Sequence, residues 1–400
     1  MSSRLPTNEF AARLDAIRGS LADTTADAAL WFDATNIEYL SGFNHVQTER
    51  PVALVVTDGR VELVVPRLEF ERASEMDRID RVRSYFDYPH GDPMGTIVET
   101  LRELDVRCVA ADMDGAPGTM GYYGPPLSAS VDVVEQSWAD RMRWEKTDAE
   151  LVCIRESVRW ANLGHQYLVE YTTVGAHPIT VSQRASMDAS RAMLDTLGER
   201  YAVRTRGVGP VHAGYISGAQ TARPHGFTPN ERLSAGDVII TGATANVDGY
   251  HSELERTMFL GDPTDDDEYY FDIMLEAQDI AIDALGPDVP VDYVDYAVWD
   301  YFEEQGVTDL ARHHVGHNIG LGAHEPPYID RGWADHCADP LTDHTESDAD
   351  VAPGQVYTIE PGLYTETAGY RHSDTVLVTE SGTETLTYFP RDIESNTIRI

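Results

Sequence analysis

Lysine is almost missing from this chain. Lys146 is the only one among 400 residues, and the remaining Lys-or-Arg positions are all arginine. Cysteine is scarce too. Cys108, Cys153 and Cys337 are odd in number and far apart, which excludes a disulfide framework and a CxxC metal motif. They are expected to be packing residues in a reducing, cytoplasmic compartment. No apolar run is long enough to cross a bilayer. Met1-Ser-Ser-Arg-Leu-Pro has no apolar stretch behind its basic residue, so no secretory signal is expected. Positive charge is short overall: 30 Lys plus Arg stand against 68 Asp plus Glu, a formal net charge of -38. Such a surface repels nucleic acid and anionic lipid, so neither is an expected partner. The acidic residues are spread along the chain, and aliphatic and aromatic content is too high for a disordered acidic protein. That pattern fits a protein kept soluble in concentrated salt, where screening removes most self-repulsion. The fold is expected to loosen at low salt.

What is present is a length sufficient for two domains. Phe10, Leu14, Ile17 and Leu21 recur at helical spacing. Ala28–Phe32 reads as a strand, and Asn36–Phe43 as a short helix ending at Gly42. Val52–Val56 and Arg60–Val65 flank Asp58-Gly59, a hairpin signal. With a further strand at Cys108–Ala111, residues 1–143 read as an α/β domain. From 144 to 400 the pattern is α+β. Leu151, Ile154, Val158, Ala161, His165 and Leu168 form one face of a long helix, with Thr147 or Asp148 as its cap. Further helices are expected near Thr180–Leu197, Asp266–Leu285 and Val291–Gln305, and strands at Gln355–Ile359, Thr375–Thr379 and Glu384–Phe389. The acidic, polar stretch Ala334–Ala352 reads as a surface loop.

The chemistry gathers around Gly249-Tyr-His-Ser-Glu-Leu-Glu-Arg-Thr257, which lies between two strand-like runs. Alternation in an extended segment places His251, Glu253 and Glu255 on one face. Three ionisable groups on one face of a mostly apolar strand suit a pocket better than a core. Downstream come His313-His-Val-Gly-His-Asn-Ile-Gly320, Ile359-Glu-Pro-Gly-Leu-Tyr364 and Gly369-Tyr-Arg-His-Ser-Asp-Thr375.

In this order the segments resemble the creatinase/prolidase family, which includes Xaa-Pro dipeptidases, aminopeptidase P and creatinase. The resemblance implies a C-terminal pita-bread domain behind an N-terminal creatinase-type domain, and usually a homodimer. Peptidases of that family hold two metal ions with five side chains. Three of these fall on Glu253, His317 and Glu360 here. The other two fall on Gly242, which has no side-chain ligand, and on Ser373, a neutral hydroxyl. Bridging carboxylates offset the repulsion between two close cations, so this reduced set suits at most one ion. His251 or His372 are possible replacement ligands.

The resemblance to creatinase, a metal-independent member, is closer at other positions. Leu254-Glu-Arg-Thr257 matches its strand, and Glu255 its substrate-contacting glutamate. His225, in the loop Ser217–Gly226, takes the place of its acid/base, and Arg50 that of an arginine donated across a dimer to a substrate carboxylate. His317, His324 and Arg371 line the corresponding pocket. The residue logic agrees. Hydrolysis of a C–N bond needs a proton donor for the leaving nitrogen and a base for water, and one imidazole serves both in turn. Glu255 and Glu360 suit a cationic substrate group, and Arg50 a carboxylate. The leading expectation is therefore a metal-free hydrolase of a small amino-acid derivative, with His225, Glu255 and Glu360 catalytic. The alternative is an Xaa-Pro dipeptidase with one divalent ion (Mn, Co or Zn) on Glu253, His317 and Glu360. A third reading is a non-catalytic binding protein on the same fold.

Overall fold

The structure is a computed structural model that describes residues 5–87, 91–115, 124–199, 201–204, 209–339, 342 and 344–400. The chain divides into two compact units, Pro6–Arg143 and Trp144–Ile400, the latter taking in Leu5.

The first unit runs α1 (Thr7–Ala22), β1 (Ala28–Trp31), α2 (Ala34–Ser41), β2 (Ala53–Val56), β3 (Val61–Pro66), α3 (Phe70–Ser74), β4 (Arg81–Tyr85), α4 (Pro93–Glu103), β5 (Cys108–Ala111), β6 (Asp132–Glu135) and α5 (Trp138–Trp144), the last residue of which opens the second unit. Its strands form one mixed sheet in the order β4-β3-β2-β1-β5-β6. The Asp58-Gly59 hairpin joins β2 to β3 in antiparallel register, whereas β1–β5 and β5–β6 pair in parallel, with α4 leading into β5. Strands β1 to β3 are buried along their whole length, as strands covered on both faces must be.

The second unit begins with α6 (Asp148–Tyr171) and α7 (Pro178–Leu197). Thr147 caps α6 in a capping box with Glu150. Next come β7 (Val211–Ser217), β8 (Val238–Val247), β9 (Tyr250–His251) and β10 (Leu254–Leu260), then α8 (Asp265–Ala284) and α9 (Val291–Gln305). The chain continues with β11 (Gly316–Asn318), β12 (Glu325–Ile329), α10 (Trp333–Ala338), β13 (Val356–Ile359), β14 (Gly362–Tyr364), β15 (Gly369–Arg371), β16 (Asp374–Thr379), β17 (Gly382–Thr385) and β18 (Thr397–Ile398). One sheet is ordered β18-β10-β8-β7, with β9 paired to β8; the other is β12-β11-β13-β16-β17, and β14–β15 is a separate ribbon. An isolated bridge, Glu255 to Ser373, links β10 to the chain between β15 and β16.

The apolar face of α6 and α7 packs on the first sheet around Ile154, Val158, Ala185, Ala213 and Ala243. Helices α8 and α9 pack on the second around Phe271, Met274, Val294, Tyr357 and Val376. Strand β7 ends its sheet, and its free edge is closed by α7. The Ser186 hydroxyl bonds both the N–H and the carbonyl of Ala213, and Ser190 does the same for Val211, all at 2.9–3.2 Å. The stretch read as a loop from Ala334 starts instead within α10. Trp333 and Cys337, one helical turn apart, are both buried and anchor it, a signal hidden by acidic neighbours.

Candidate active site

Four segments of the second unit converge. Glu253 immediately precedes β10, and Glu255 lies on it. His317 is the middle residue of β11, Glu360 follows β13, and Arg371 ends β15. The glycines flanking His317 answer to close approach. A Cβ on Gly316 would lie 1.9 Å from the Thr358 carbonyl oxygen, and one on Gly320 would lie 2.5 Å from Glu325 Oε1 and 2.8 Å from Lys146 Cε. The strand carrying His317 can therefore press against both neighbours. Lys146, the sole lysine, is buried beneath it. Its ammonium donates to the Trp144 carbonyl at 3.2 Å and to the Asn318 side chain, and pairs with Glu325 at 3.3 Å.

Arg256 fixes the central strand from the opposite face. Its fully buried guanidinium donates to Asp374 Oδ1 at 2.8 Å and to the carbonyls of Glu255, Ser373, Phe389 and Pro390 at 2.7–3.1 Å. This holds the Glu255–Ser373 bridge in register.

Within the pocket, Glu253, Glu255 and Glu360 each offer an oxygen, all within 4.8 Å of one another. Glu253 joins His317 and His324 in a second group of the same span. Ser373, where the resemblance puts a carboxylate, instead donates its hydroxyl to Glu253 Oε1 at 2.8 Å. Arg371 grips Glu255 in a two-pronged contact of 2.5 and 2.9 Å and stands 3.9 Å from Glu360. Arg371 also donates to the Tyr364 hydroxyl at 2.9 Å, which is 2.8 Å from His313 Nε2. The His317 ring is fully buried. Its Nδ1 lies 3.0 Å from the Asn318 carbonyl, and Nε2 faces Glu360 at 3.4 Å without a hydrogen bond among the described residues. His324 stacks on His317 with ring centroids 3.8 Å apart.

The charges are strongly interdependent. Burial, with Glu360 and Glu255 close by, pushes Glu253 up to about 8. Burial also raises Glu255, although Arg371 opposes this. Burial works against ionised Glu360, but His317 and Arg371 prevail and hold it at about 2. Burial works against a charged His317, but Glu360 and Glu253 outweigh it and push the imidazole up to about 9. Desolvation, with His317 alongside, lowers His324.

Sequence reasoning placed some residues elsewhere. The strand breaks at Ser252, so His251 belongs to β9, and its Nε2 lies 3.1 Å from the Asn246 side chain. His372 is fully buried edge-on to Phe271, while its neighbours Arg371 and Ser373 face the carboxylates. Neither histidine joins a ligand group among the described residues. His225 is exposed, in a loop tied to the pocket by an Arg371 bond to the Pro224 carbonyl at 3.2 Å, and its charge reaches His324. Arg50 lies in the first unit, paired with Glu49 at 2.6 Å and Asp87 at 2.9 Å. Tyr364 went unassigned although it ends the Glu-Pro-Gly-Leu-Tyr segment. The Ser373 contact to Glu253 had no local signal.

Fold and pocket together define a pita-bread protein with an acid-and-imidazole centre. The chain belongs to metallopeptidase family M24, whose model matches residues 152–380. Residues 13–122 match the creatinase/prolidase N-terminal domain. Over 98% of its length the chain is 27% identical to the probable dipeptidase PepE of Mycobacterium tuberculosis, covering 98% of that protein. It is 26% identical to the Xaa-Pro dipeptidase of Pyrococcus furiosus, covering 95% of this chain and 99% of the relative. The solved structure of dipeptidase PepE from Mycobacterium ulcerans superposes with a TM-score of 0.78 at 25% identity, covering 99% of this chain and 100% of that one.

Carboxylate oxygens and imidazole nitrogen suit Mn, Co or Zn. The inward Nε2 of His317, with Nδ1 engaged by a carbonyl, is the disposition a ligating histidine needs. The residues fit. The metal-free expectation therefore gives way to its alternative, for a second reason as well. Both oxygens of Glu255 are engaged by Arg371, so the guanidinium-type contact that the metal-free reading reserved for a cationic substrate is made by the protein itself.

Proposed function

We propose that this chain is a metal-dependent dipeptidase of Xaa-Pro type, with Glu253, His317 and Glu360 holding one divalent ion. The observation that carries the reading is the buried, unbonded Nε2 of His317 facing Glu360 and grouped with Glu253. The names of the Mycobacterium and Pyrococcus relatives, dipeptidase and Xaa-Pro dipeptidase, support the substrate class.

A bound ion supplies Lewis acidity toward a peptide carbonyl and makes its water easier to deprotonate. The protein's own groups do the rest. Ser373 aims Glu253 by donating to one of its oxygens. Glu360 stays ionised through His317 and Arg371, which keeps its oxygens available to a cation. His324 and the exposed His225 stand on the open side, where a leaving proline nitrogen collects its proton.

The test is metal analysis of purified protein, with turnover of Xaa-Pro dipeptides and of creatine-like compounds before and after chelation. Stoichiometric metal and chelator-sensitive dipeptide cleavage are expected. Chelator-resistant hydrolysis of an amidino compound would return the metal-free reading to first place.

A further inference from the structure

Position 242 is where the resemblance puts a metal-binding carboxylate, and it is glycine. In the β8–β10 register Gly242 stands opposite Glu255, and in the β7–β8 register it stands opposite Gly214. The floor beside Glu253 is therefore bare backbone. It forms part of a cavity of about 1090 Å³ lined by Glu253, Glu255, Arg371 and both glycines, and extending to α7. A Cβ built on Gly242 would have one described heavy atom within 4 Å: Glu255 Oε1, at 3.6 Å. The carboxylate of Glu255 thus ends where a side chain from residue 242 would begin.

We propose that Glu255 supplies, from the neighbouring strand, the carboxylate that residue 242 lacks, and so completes a centre for a single divalent cation with Glu253, Glu360 and His317. The inference rests on the metallopeptidase reading and adds a ligand to it. Three observations carry it. The oxygens of Glu253, Glu255 and Glu360 are mutually within 4.8 Å. A fully buried imidazole nitrogen without a hydrogen bond among the described residues, His317 Nε2, faces Glu360 at 3.4 Å, and His317 is grouped with Glu253. Arg371 fixes both oxygens of Glu255 with its fork, which leaves further lone pairs for a cation and sets the carboxylate's orientation. Charge decides the number of ions. Three carboxylates and one guanidinium leave two negative charges, which one divalent ion neutralises. A second ion would leave the buried site doubly positive, an expensive state away from water.

The test is isothermal titration of chelator-stripped protein with MnCl2, with the visible spectrum of the Co(II) form as a second readout. Wild-type protein should bind one equivalent. Glu255→Gln should weaken Mn(II) binding by roughly tenfold or more and alter the Co(II) bands. Glu255→Thr combined with Gly242→Asp, which moves the carboxylate back across the strand pair and offers Arg371 a new partner, should recover affinity to within a few-fold of wild type. Glu255→Gln protein that binds Mn(II) within twofold of wild type overturns the proposal while leaving the dipeptidase reading intact. So does a double variant that folds but binds no better than Glu255→Gln. Wild-type protein that binds no Mn(II) removes both. If the variants do not fold, a crystal structure of wild type with Mn(II) decides: a Glu255 oxygen in the inner coordination shell supports the proposal, and its absence from that shell refutes it.

Discussion

Replacing Arg256 by methionine probes the joint on which the pocket is built. The buried guanidinium pairs with Asp374 and donates to four carbonyls. Methionine fills much of the volume but strips Asp374 of its contact cation, leaving Arg391 Nε, 3.7 Å away, as its remaining ion pair among the described residues. The aspartate keeps hydrogen bonds from Thr387 at 2.6 Å and Gln278 at 3.0 Å, which soften the loss without neutralising the charge. Breaking one partner from a buried pair costs about 3–5 kcal/mol. The Glu255 and Ser373 carbonyls keep the amide bonds they receive from each other's residue at 3.0 Å, and Pro390 keeps Asn396. Phe389 loses its guanidinium donor, which adds about 1 kcal/mol. The total, roughly 4–6 kcal/mol, is a large share of the about 5–15 kcal/mol that holds a domain together. With a urea dependence of about 3 kcal/mol per molar, the unfolding midpoint should fall by roughly 1.3–2 M. Arg256→Lys, which keeps a charge but loses the planar fork, should lie between the two. The assay is urea unfolding at fixed salt and neutral pH, followed by far-UV circular dichroism and by fluorescence of Trp144 and Trp333, which lie in the core of this unit. A midpoint within about 0.3 M of wild type, under about 1 kcal/mol, would refute the reasoning.

The pH dependence has a worked sign. Burial holds His165 at about 3 and His45 at about 4, both from 6.5. The unfolded chain takes up these protons as pH falls through 6.5 and the folded chain does not, so the contribution of these two histidines is full above 6.5 and is lost toward pH 3–4, against an opposing gain from Asp112 and Asp295, which burial raises to about 7 and about 6. By pH 4 the His165 share lost is roughly 3 kcal/mol, and the drop in unfolding free energy from urea titrations at pH 7 and 4 should be smaller for His165→Gln than for wild type by about that amount. Ser373→Ala removes the hydroxyl that aims Glu253, and kcat should drop roughly tenfold with KM little changed; an unchanged kcat argues against that positioning. His225→Ala should reduce dipeptide turnover but not abolish it. Complete loss, with metal still bound, would restore this residue as the principal acid/base. The net charge of -38 predicts a lower melting temperature in dilute buffer than in molar salt, and calorimetry across that range checks it.

Much of the architecture was legible because periodicity and turn chemistry act locally. The Asp58-Gly59 hairpin, the α6 face with its Thr147 cap and the strand before Glu360 need only near neighbours. The site was legible as a set of segments, since His317, Glu360 and Arg371 come in motifs. Its wiring was not. Glu255 looked like a carboxylate awaiting a cationic substrate, yet its partner is Arg371, 116 positions along the chain. The alternation that grouped His251 with Glu253 assumed an unbroken strand, and the break at Ser252 ended that phase. Ser373 looked like a lost ligand, but its hydroxyl is committed to Glu253, a contact between residues 120 apart.

The burial of Lys146 bears on how this protein can be handled. With the only ε-ammonium enclosed beside Glu325 and Asn318, an amine-directed reagent such as a succinimidyl ester finds no lysine on the folded surface. Acylation of that nitrogen would need the helix start and the His317 strand to part first. The rate of modification at this one position then becomes a clock for opening of the second unit, read by mass spectrometry with no mutation.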